Sequence, residues 1–246
     1  MSIATESPSV VKDRRAVYAD LLSQAITGEL VGMANYAAMV RLHADAEGQR
    51  QAMEHASTEL RHSARFRRAA REFGVDPIVD IGAPYWRRIR ESFLRRADSN
   101  DLVACLVIQE VMLESFAVAA YRTIADAAPP ELAKVFSLIA EEEAAHVDHA
   151  VLELRSAHAA EPEAFEAKVE TLNDEVMSTL AQMVGLEDTA GHCKLCRGAC
   201  VKASMSSAGV DRATVRGRAL NAYLVTLDRI GVRGERSLAW VARLPL

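Results

Sequence analysis

The sequence contains few residues that interrupt helices, and it has no surplus of positive charge. Only 12 glycines and 7 prolines occur in 246 residues, and no segment of useful length alternates apolar and polar residues. Because such alternation is the mark of a half-buried strand, we do not expect a fold built on strands. The net charge of −5 likewise argues against a surface that binds nucleic acid.

Signals for export or membrane insertion are also missing. The N-terminal segment MSIATESPSVVKDRR has no apolar core behind a basic start, so we do not expect a signal peptide. The longest apolar run, from Leu102 to Tyr121, is interrupted by Glu110 and Glu114, so we expect no membrane span. Together these absences predict a cytoplasmic protein.

Cysteine is scarce and unevenly placed. Three of the four cysteines lie within eight residues, in the segment GHCKLCRGAC. This spacing favours a metal or redox cluster over a disulfide framework. The candidate ligands are His192, Cys193, Cys196 and Cys200. Zinc is the first hypothesis and an iron–sulfur cluster the second, while a loop without metal stays open because a single Cys-x-x-Cys motif is common.

The rest of the chain has a helical pattern. It predicts helices over about 10–46, 48–73, 85–127, 130–159 and 211–230, with one more after EPEAF. A break near DSND, capped by Ser99 or Asn100, would divide the third of these regions. The pattern indicates one all-α domain over residues 1–246, with a four-helix bundle, additional C-terminal helices and a Cys-rich insertion at about 188–205.

Glu114 is predicted to be a buried carboxylate. It lies in the segment from Leu102 to Tyr121, which is apolar on every side and therefore belongs in the centre of a bundle. A buried carboxylate without a partner costs several kcal/mol, so Glu114 needs a cation or a proton. A salt bridge to a neighbouring helix is one solution, and a bound metal ion is the other.

A repeated spacing favours the metal ion. Each half of the chain contains one Glu-x-x-His motif, in TELRH and in EAAH, and residues three apart share one helix face. A further glutamate precedes the motif by 30 residues in the first half and by 29 in the second. The predicted ligands are Glu29, Glu59, His62, Glu114, Glu143 and His146. Four carboxylates and two imidazoles suit two iron ions, and manganese or a mixed pair fits the same ligands.

Several residues near these ligands are candidates for supporting roles. Tyr36 and Tyr121 each follow a predicted ligand by seven residues, and each phenol could hydrogen-bond a ligand carboxylate or simply pack. His149 lies one turn beyond His146, and it is either an additional metal ligand or a residue that contacts a ligand. Glu110 is a third candidate: it either places a charge near the metals and the substrate or bonds a nearby ligand histidine or arginine. Glu141 and Glu142 are expected to be solvated or to contact a ligand from outside.

At these residues the sequence resembles the ferritin-like di-iron carboxylate family, and within it the cyanobacterial aldehyde-deformylating oxygenases. The likeness covers roughly residues 18–185 and is densest in CLVIQEVMLESFAVAAY, with further matches in GELVGMANY, TELRHSARF and EEAAH. It implies a ferritin-like bundle with two irons, oxygen as the oxidant and a ferredoxin-type electron donor. It also implies a hydrophobic substrate channel beside the metals. A homodimer is one assembly left open.

Three departures from that family bear on the substrate. Glu110 stands where the family tends to carry a small apolar residue, Arg122 adds a charge after Tyr121, and the Cys-rich segment looks like an insertion. Charge near the channel would disfavour an alkyl chain. The first hypothesis is therefore an oxygenase that oxidises a small, polar, nitrogen-containing metabolite. Deformylation of a fatty aldehyde to an alkane and formate is the alternative.

Other classes of function stay open at this point. A ferroxidase or iron-storage subunit would use the same ligands, but the C-terminal helices and the cysteine segment fit it poorly. A rubrerythrin-like protein would carry a second Cys-x-x-Cys motif, and only one is present. A bundle that has lost its metal would not be expected to keep six ligand positions.

Overall fold

The structure is a computed structural model that describes residues 13–185, 194–197 and 200–246, and no strand occurs among them. The predicted all-α class is confirmed. The first helices are α1 Arg14–Met39, α2 Ala46–Phe73, α3 Pro84–Asp98, α4 Leu102–Ala127 and α5 Pro130–Ala160. They are followed by α6 at 162–183, α7 Val201–Ser204, α8 Arg212–Ile230 and α9 Gly234–Ala242.

The first predicted helix ends earlier than the sequence pattern suggested. A single 3-10 turn, Val40–Leu42, follows α1, and the chain becomes extended at His43. Asp45 then caps α2, because its side chain accepts a hydrogen bond from the backbone N–H of Gly48 at 2.8 Å. The cap satisfies one of the N–H groups that the start of a helix leaves without a partner.

The predicted break near DSND is present, but a different residue caps the new helix. Asn100 adopts a left-handed conformation with φ 56°, which asparagine tolerates better than most residues. Asp101, rather than Ser99 or Asn100, is the N-cap of α4, and its side chain accepts from the backbone N–H of Ala104 at 3.0 Å. The break lets α3 lie outside the bundle and α4 enter its centre.

Two helical hairpins form the bundle. Helix α1 packs along α2, α4 packs along α5, and α2 contacts α5 across the centre. Phe66 of α2 lies with its ring centroid 5.3 Å from that of Tyr121 of α4 and 4.9 Å from that of Phe136 of α5, and the latter two are 5.6 Å apart. All three rings are buried, and the burial of each such side chain stabilises the fold by about 1.5–3 kcal/mol.

The additional helices cover the outside of α4. Helix α8 packs against it, and Arg218 of α8 pairs with Asp126 at 2.6 Å. Arg233 and Arg236 hold the buried Glu166 of α6, each at 2.7 Å. The Arg233 guanidinium is the largest cause that lowers the pKa of Glu166, to about 2. These ion pairs fasten the C-terminal helices to the bundle.

Helix α4 is the central helix of the fold. It is long and apolar enough to cross a membrane by composition, but 78% of its most apolar window is buried inside the bundle. Within it, Val107–Leu113 forms a π-helical turn, and the N–H of Glu114 donates to the carbonyl of Gln109. The donor and the acceptor of this bond are five residues apart, instead of four as in an α-helix. The side chains that follow therefore point in other directions than they would on a continuous α-helix.

Candidate metal centre

The six predicted ligands converge in the middle of the bundle. All of them are buried, with His146 the most exposed at 5%. One donor atom from each of Glu29, Glu59, His62 and Glu143 lies within 4.8 Å of the others. A second group of the same size consists of Glu59, Glu114, Glu143 and His146. Glu59 and Glu143 belong to both groups, as residues that bridge two ions would.

The two imidazoles present the same nitrogen to this cluster. Nδ1 of His62 lies 2.8 Å from Oε1 of Glu143 and 3.2 Å from Oε2 of Glu29. Nδ1 of His146 lies 3.0 Å from Oε2 of Glu143 and 3.2 Å from Oε1 of Glu59. Glu143 therefore stands between the two histidines, with one oxygen facing each.

Several of the converging atoms have no hydrogen-bond partner. Three buried atoms have no such partner: Oε1 of Glu59, Oε2 of Glu143 and Nδ1 of His146. Leaving such atoms buried and unsatisfied costs free energy, whereas a divalent cation would satisfy all three at once. Carboxylate oxygens and imidazole nitrogens are also a donor set that iron and manganese accept. The residues present fit two divalent ions.

The acids of the cluster differ in pKa. Burial raises the pKa of Glu59 and of Glu114 well above the usual range, and Glu143 raises both further. Burial also favours the protonated form of Glu143, but the nearby imidazoles of His146 and His62 lower its pKa to about 2. Burial lowers the pKa of His62, but its bonds to Glu143 and Glu29 raise it to about 10. Four acids this close therefore need bound protons or cations.

Outside the cluster, His62 is held in place by a charged pair. Its Nε2 lies 2.7 Å from Oε2 of Glu142, and Arg65 binds both oxygens of Glu142 at 2.7 Å. Glu142, expected to be solvated or to contact a ligand from outside, does the latter. A carboxylate on the far nitrogen fixes the orientation of the ring, leaving Nδ1 to face the centre.

A chain of amides supports Glu114, and no pattern in the sequence predicted it. Nε2 of Gln109 donates to Oε1 of Glu114 at 2.6 Å, and Asn35 donates to Gln109 at 2.8 Å. Arg90 donates to Asn35 at 3.1 Å. Gln109 and Glu114 are five residues apart and would not share a face of an α-helix. The π-helical turn brings them together.

The two tyrosines are not equivalent. The hydroxyl of Tyr121 donates to Oε1 of Glu29, across the bundle, which is one of the two possibilities that the sequence left open. The hydroxyl of Tyr36 is buried without a hydrogen-bond partner, and its ring packs edge-on against His146 with centroids 5.5 Å apart. Of the two tyrosines, therefore, only Tyr121 makes a hydrogen bond to one of the six residues.

This difference leads to a prediction for the paired variants Tyr121→Phe and Tyr36→Phe. Loss of the Tyr121 hydrogen bond leaves Glu29 free to turn, so single-turnover oxidation by the iron-loaded protein should slow about 10–100-fold. Tyr36→Phe should change the rate less than about threefold, because no hydrogen bond is lost. Circular dichroism checks that both variants fold. Equal rates in the two variants would contradict the distinction.

Of the two possibilities for Glu110, the structure shows a contact with histidine rather than a position at the cavity. The π-helical turn separates its direction from that of Glu114, and Glu110 faces His149 at 2.8 Å and His55 at 3.5 Å. His149 accordingly contacts Glu110 and belongs to neither group of the six residues. Arg122 is exposed on the outside of α4. Neither Glu110 nor Arg122 lines the cavity beside the centre, so their charges do not argue for a polar substrate.

The Cys-rich segment is described only in part. His192 and Cys193 lie outside the described residues, so the proposed zinc or iron–sulfur site stays a prediction. The sulfur of Cys196 accepts a hydrogen bond from the backbone N–H of Val201 at 3.4 Å. Cys200 lines the cavity beside the centre. This end of the segment therefore packs against the cavity wall.

That cavity is apolar and ends at the centre. Its volume of about 120 Å³ is roughly ten times what one water molecule needs. Glu29, Glu59 and Glu114 line one part of it. The apolar wall includes Leu21, Ala25, Leu113, Phe116, Ala117 and Ile124. Lys202 is one of the polar residues of the wall, and its Nζ donates a hydrogen bond to the carbonyl of Gln182 at 3.1 Å.

Comparison with known proteins agrees with this geometry. A family model described as long-chain fatty aldehyde decarbonylase matches residues 12–205, most of the chain. The fold is also similar to that of a protein from Synechococcus described as having aldehyde deformylating oxidase activity, with a TM-score of 0.78 and 19% identity. The match covers 96% of this chain and 98% of that one. The predicted ferritin-like bundle is thereby confirmed.

Proposed function

The chain belongs to the long-chain fatty aldehyde decarbonylase family of ferritin-like di-iron enzymes, and from that membership we propose that it deformylates a fatty aldehyde. One observation carries the proposal: the apolar cavity ends at three of the six clustered residues, Glu29, Glu59 and Glu114. An alkyl chain in the cavity would place its polar end at the metal centre. A small polar metabolite would leave the apolar wall without a partner.

In this proposal the six clustered residues hold two iron ions. When bound, the ions would supply oxygen activation and electron transfer, which amino-acid side chains do not provide. Glu59 and Glu143, which belong to both groups of donors, would help to hold both ions, and His62 and His146 would each help to hold one. Tyr121 and Gln109 would keep their carboxylate partners in position. Manganese in one or both positions would be accepted by the same donors.

The chain orients the substrate by its own shape. The aldehyde oxygen is the one polar atom of a fatty aldehyde, and burying it without a partner in the apolar part would be costly. The carboxylate-lined end is therefore the place for the reacting carbon. The wall excludes water from the alkyl chain. The length of the cavity limits the position of the first carbon relative to the ions.

The reaction has a definite balance. One aldehyde, one dioxygen, four electrons and four protons give one alkane, one formic acid and one water. The bond between the first and second carbons breaks, and the first carbon leaves with its own hydrogen. Four electrons must come from outside the chain, so a reductant is required, and we propose a ferredoxin-type protein in that role.

The earlier first hypothesis, oxidation of a nitrogen-containing metabolite, loses its support. It rested on Glu110, Arg122 and the cysteine segment, and the first two do not reach the cavity. Cys200 reaches it, but a thiol adds no charge that would reject an alkyl chain. A ferroxidase would have no use for an apolar cavity beside the ions.

The test is a product analysis with a substrate labelled at the reacting carbon. The full chain, reconstituted with iron and supplied with oxygen and a reductant, receives octadecanal deuterated at its first carbon. Heptadecane and deuterated formate are expected in equal amounts, because the first carbon keeps its hydrogen. Octadecylamine, of equal length, is the matched comparison. An oxidised amine without formate from the aldehyde would reverse the assignment.

A further inference from the structure

We propose that His55, Glu110 and His149 form a separate binding site for a divalent first-row metal ion, through which ions reach the buried centre. One donor atom from each of the three lies within 4.8 Å of the others, and none of them belongs to the six-residue cluster. Two imidazoles and one carboxylate are a donor set that binds iron, zinc or manganese while leaving further positions open to solvent.

The distances suit donors that share an ion. Nδ1 of His149 lies 2.8 Å from Oε2 of Glu110, and Nδ1 of His55 lies 3.5 Å from Oε1. The second distance is too long for a good hydrogen bond. Two donors bound to one ion at about 2.1 Å lie roughly 3.0–3.4 Å apart, so small movements of the two rings would complete the site.

The count of negative charges also indicates that this site is distinct from the six-residue cluster. Four carboxylates there carry four negative charges, which two divalent ions neutralise. Glu110 is a fifth carboxylate, with its side chain only 1% exposed, and it receives no compensation from those ions. A buried carboxylate needs its own cation. A divalent ion held also by His55 and His149 would supply it.

A buried hydroxyl points to a polar occupant nearby. The hydroxyl of Tyr36 has no hydrogen-bond partner, and Glu110 is the carboxylate with the largest electrostatic effect on its pKa, which burial raises well above the usual range. The ring of Tyr36 lies edge-on to His55, with centroids 5.0 Å apart. A solvent molecule bound to an ion at Glu110 would give this hydroxyl a partner.

The position of the three residues suits a route to the centre. The rings of His55 and His146 pack with centroids 4.4 Å apart, so the new site adjoins the second metal group. The side chains of His55 and His149 are 18% and 21% exposed, whereas that of His62 is fully buried. The apolar cavity also reaches the centre, but it disfavours a hydrated cation. None of the three residues lines that cavity.

The test counts ions in the full chain. The protein is stripped of metal with a chelator and then saturated with zinc, and bound zinc is measured by elemental analysis and located by anomalous diffraction. Three ions per chain are expected within the helical bundle of the wild type, and the diffraction signal counts zinc at the cysteine segment separately. Glu110→Gln and His149→Gln should each hold two, with the ion beside Glu110 missing. Glu153→Gln is the matched control, because Glu153 is exposed one turn beyond His149, and it should keep three.

A second measurement tests the route. Zinc uptake from a coloured chelator is followed over time, and Glu110→Gln should fill the remaining two sites about tenfold more slowly than the wild type. His55→Gln, at a partly exposed position, serves where Glu110→Gln fails to fold. A wild type that saturates with two ions in the bundle, or a Glu110→Gln variant with three there, overturns the site. An unchanged uptake rate in the variants overturns the route.

Discussion

Replacing Glu114 by alanine is expected to remove at least one of the two metal ions and to reduce activity by more than roughly 100-fold. Substitution of residues that merely orient metal ligands already costs 10–100-fold. Glu114 belongs to one of the two groups of converging donors, so its loss should affect the ion at Glu59, Glu143 and His146 most. The outcome is either half loading or no loading, and elemental analysis of reconstituted protein distinguishes them.

The variant is expected to keep its fold. Without the metal charge, the remaining buried acids can take up protons, since burial already raises the pKa of Glu59 and of Glu29. Bound metal stabilises only the folded state, so a chelator should lower the melting temperature of the wild type and affect the variant less. Glu131→Ala, at an exposed position on α5, is the control and should behave as wild type. Full loading of Glu114→Ala would refute the metal assignment.

Filling the cavity is expected to change the substrate preference without touching the metals. Ala117 lines the cavity one turn beyond Glu114, and a phenylalanine there would occupy space proposed for the alkyl chain. We expect kcat/KM for octadecanal to fall at least about tenfold in Ala117→Phe, because a misfit of this kind costs about 1–3 kcal/mol. A short aldehyde such as butanal should be affected much less.

The control for this prediction distinguishes blockage of the cavity from general damage to the protein by a new phenylalanine. Ala239→Phe introduces the same side chain at an exposed position on α9 and should leave both aldehydes unaffected. Metal content should equal that of the wild type in both variants. Unchanged discrimination between octadecanal and butanal in Ala117→Phe would show that the alkyl chain does not bind in this cavity.

The sequence by itself determined the helices and the six residues at the centre. Both follow from local spacing: residues three apart share a helix face whatever the surroundings, and a buried carboxylate must have a partner. The repeat of Glu-x-x-His after a glutamate in each half therefore identified Glu59, His62, Glu143 and His146 without a structure. The limits of α1 were less well predicted, because its apolar pattern continues beyond the 3-10 turn that ends it.

Tertiary structure decided which way the side chains of α4 point. A sequence pattern assumes a regular helix, in which Glu110 and Glu114 lie one turn apart, and it gave no role to Gln109. The π-helical turn before Glu114 directs Gln109 to the centre and Glu110 to His149. That turn depends on packing against neighbouring helices as well as on local residues.

The family resemblance implied a hydrophobic channel beside the metals, but no local pattern in the sequence predicted which residues form the cavity wall. Its wall combines residues from α1, α4, α6, α7 and α8, which are far apart in the chain and meet only when the helices pack. The charges of Glu110 and Arg122 were visible in the sequence, but their distance from this wall was not. Local spacing determines which groups share a helix face, whereas the packing of the helices determines what each face encloses.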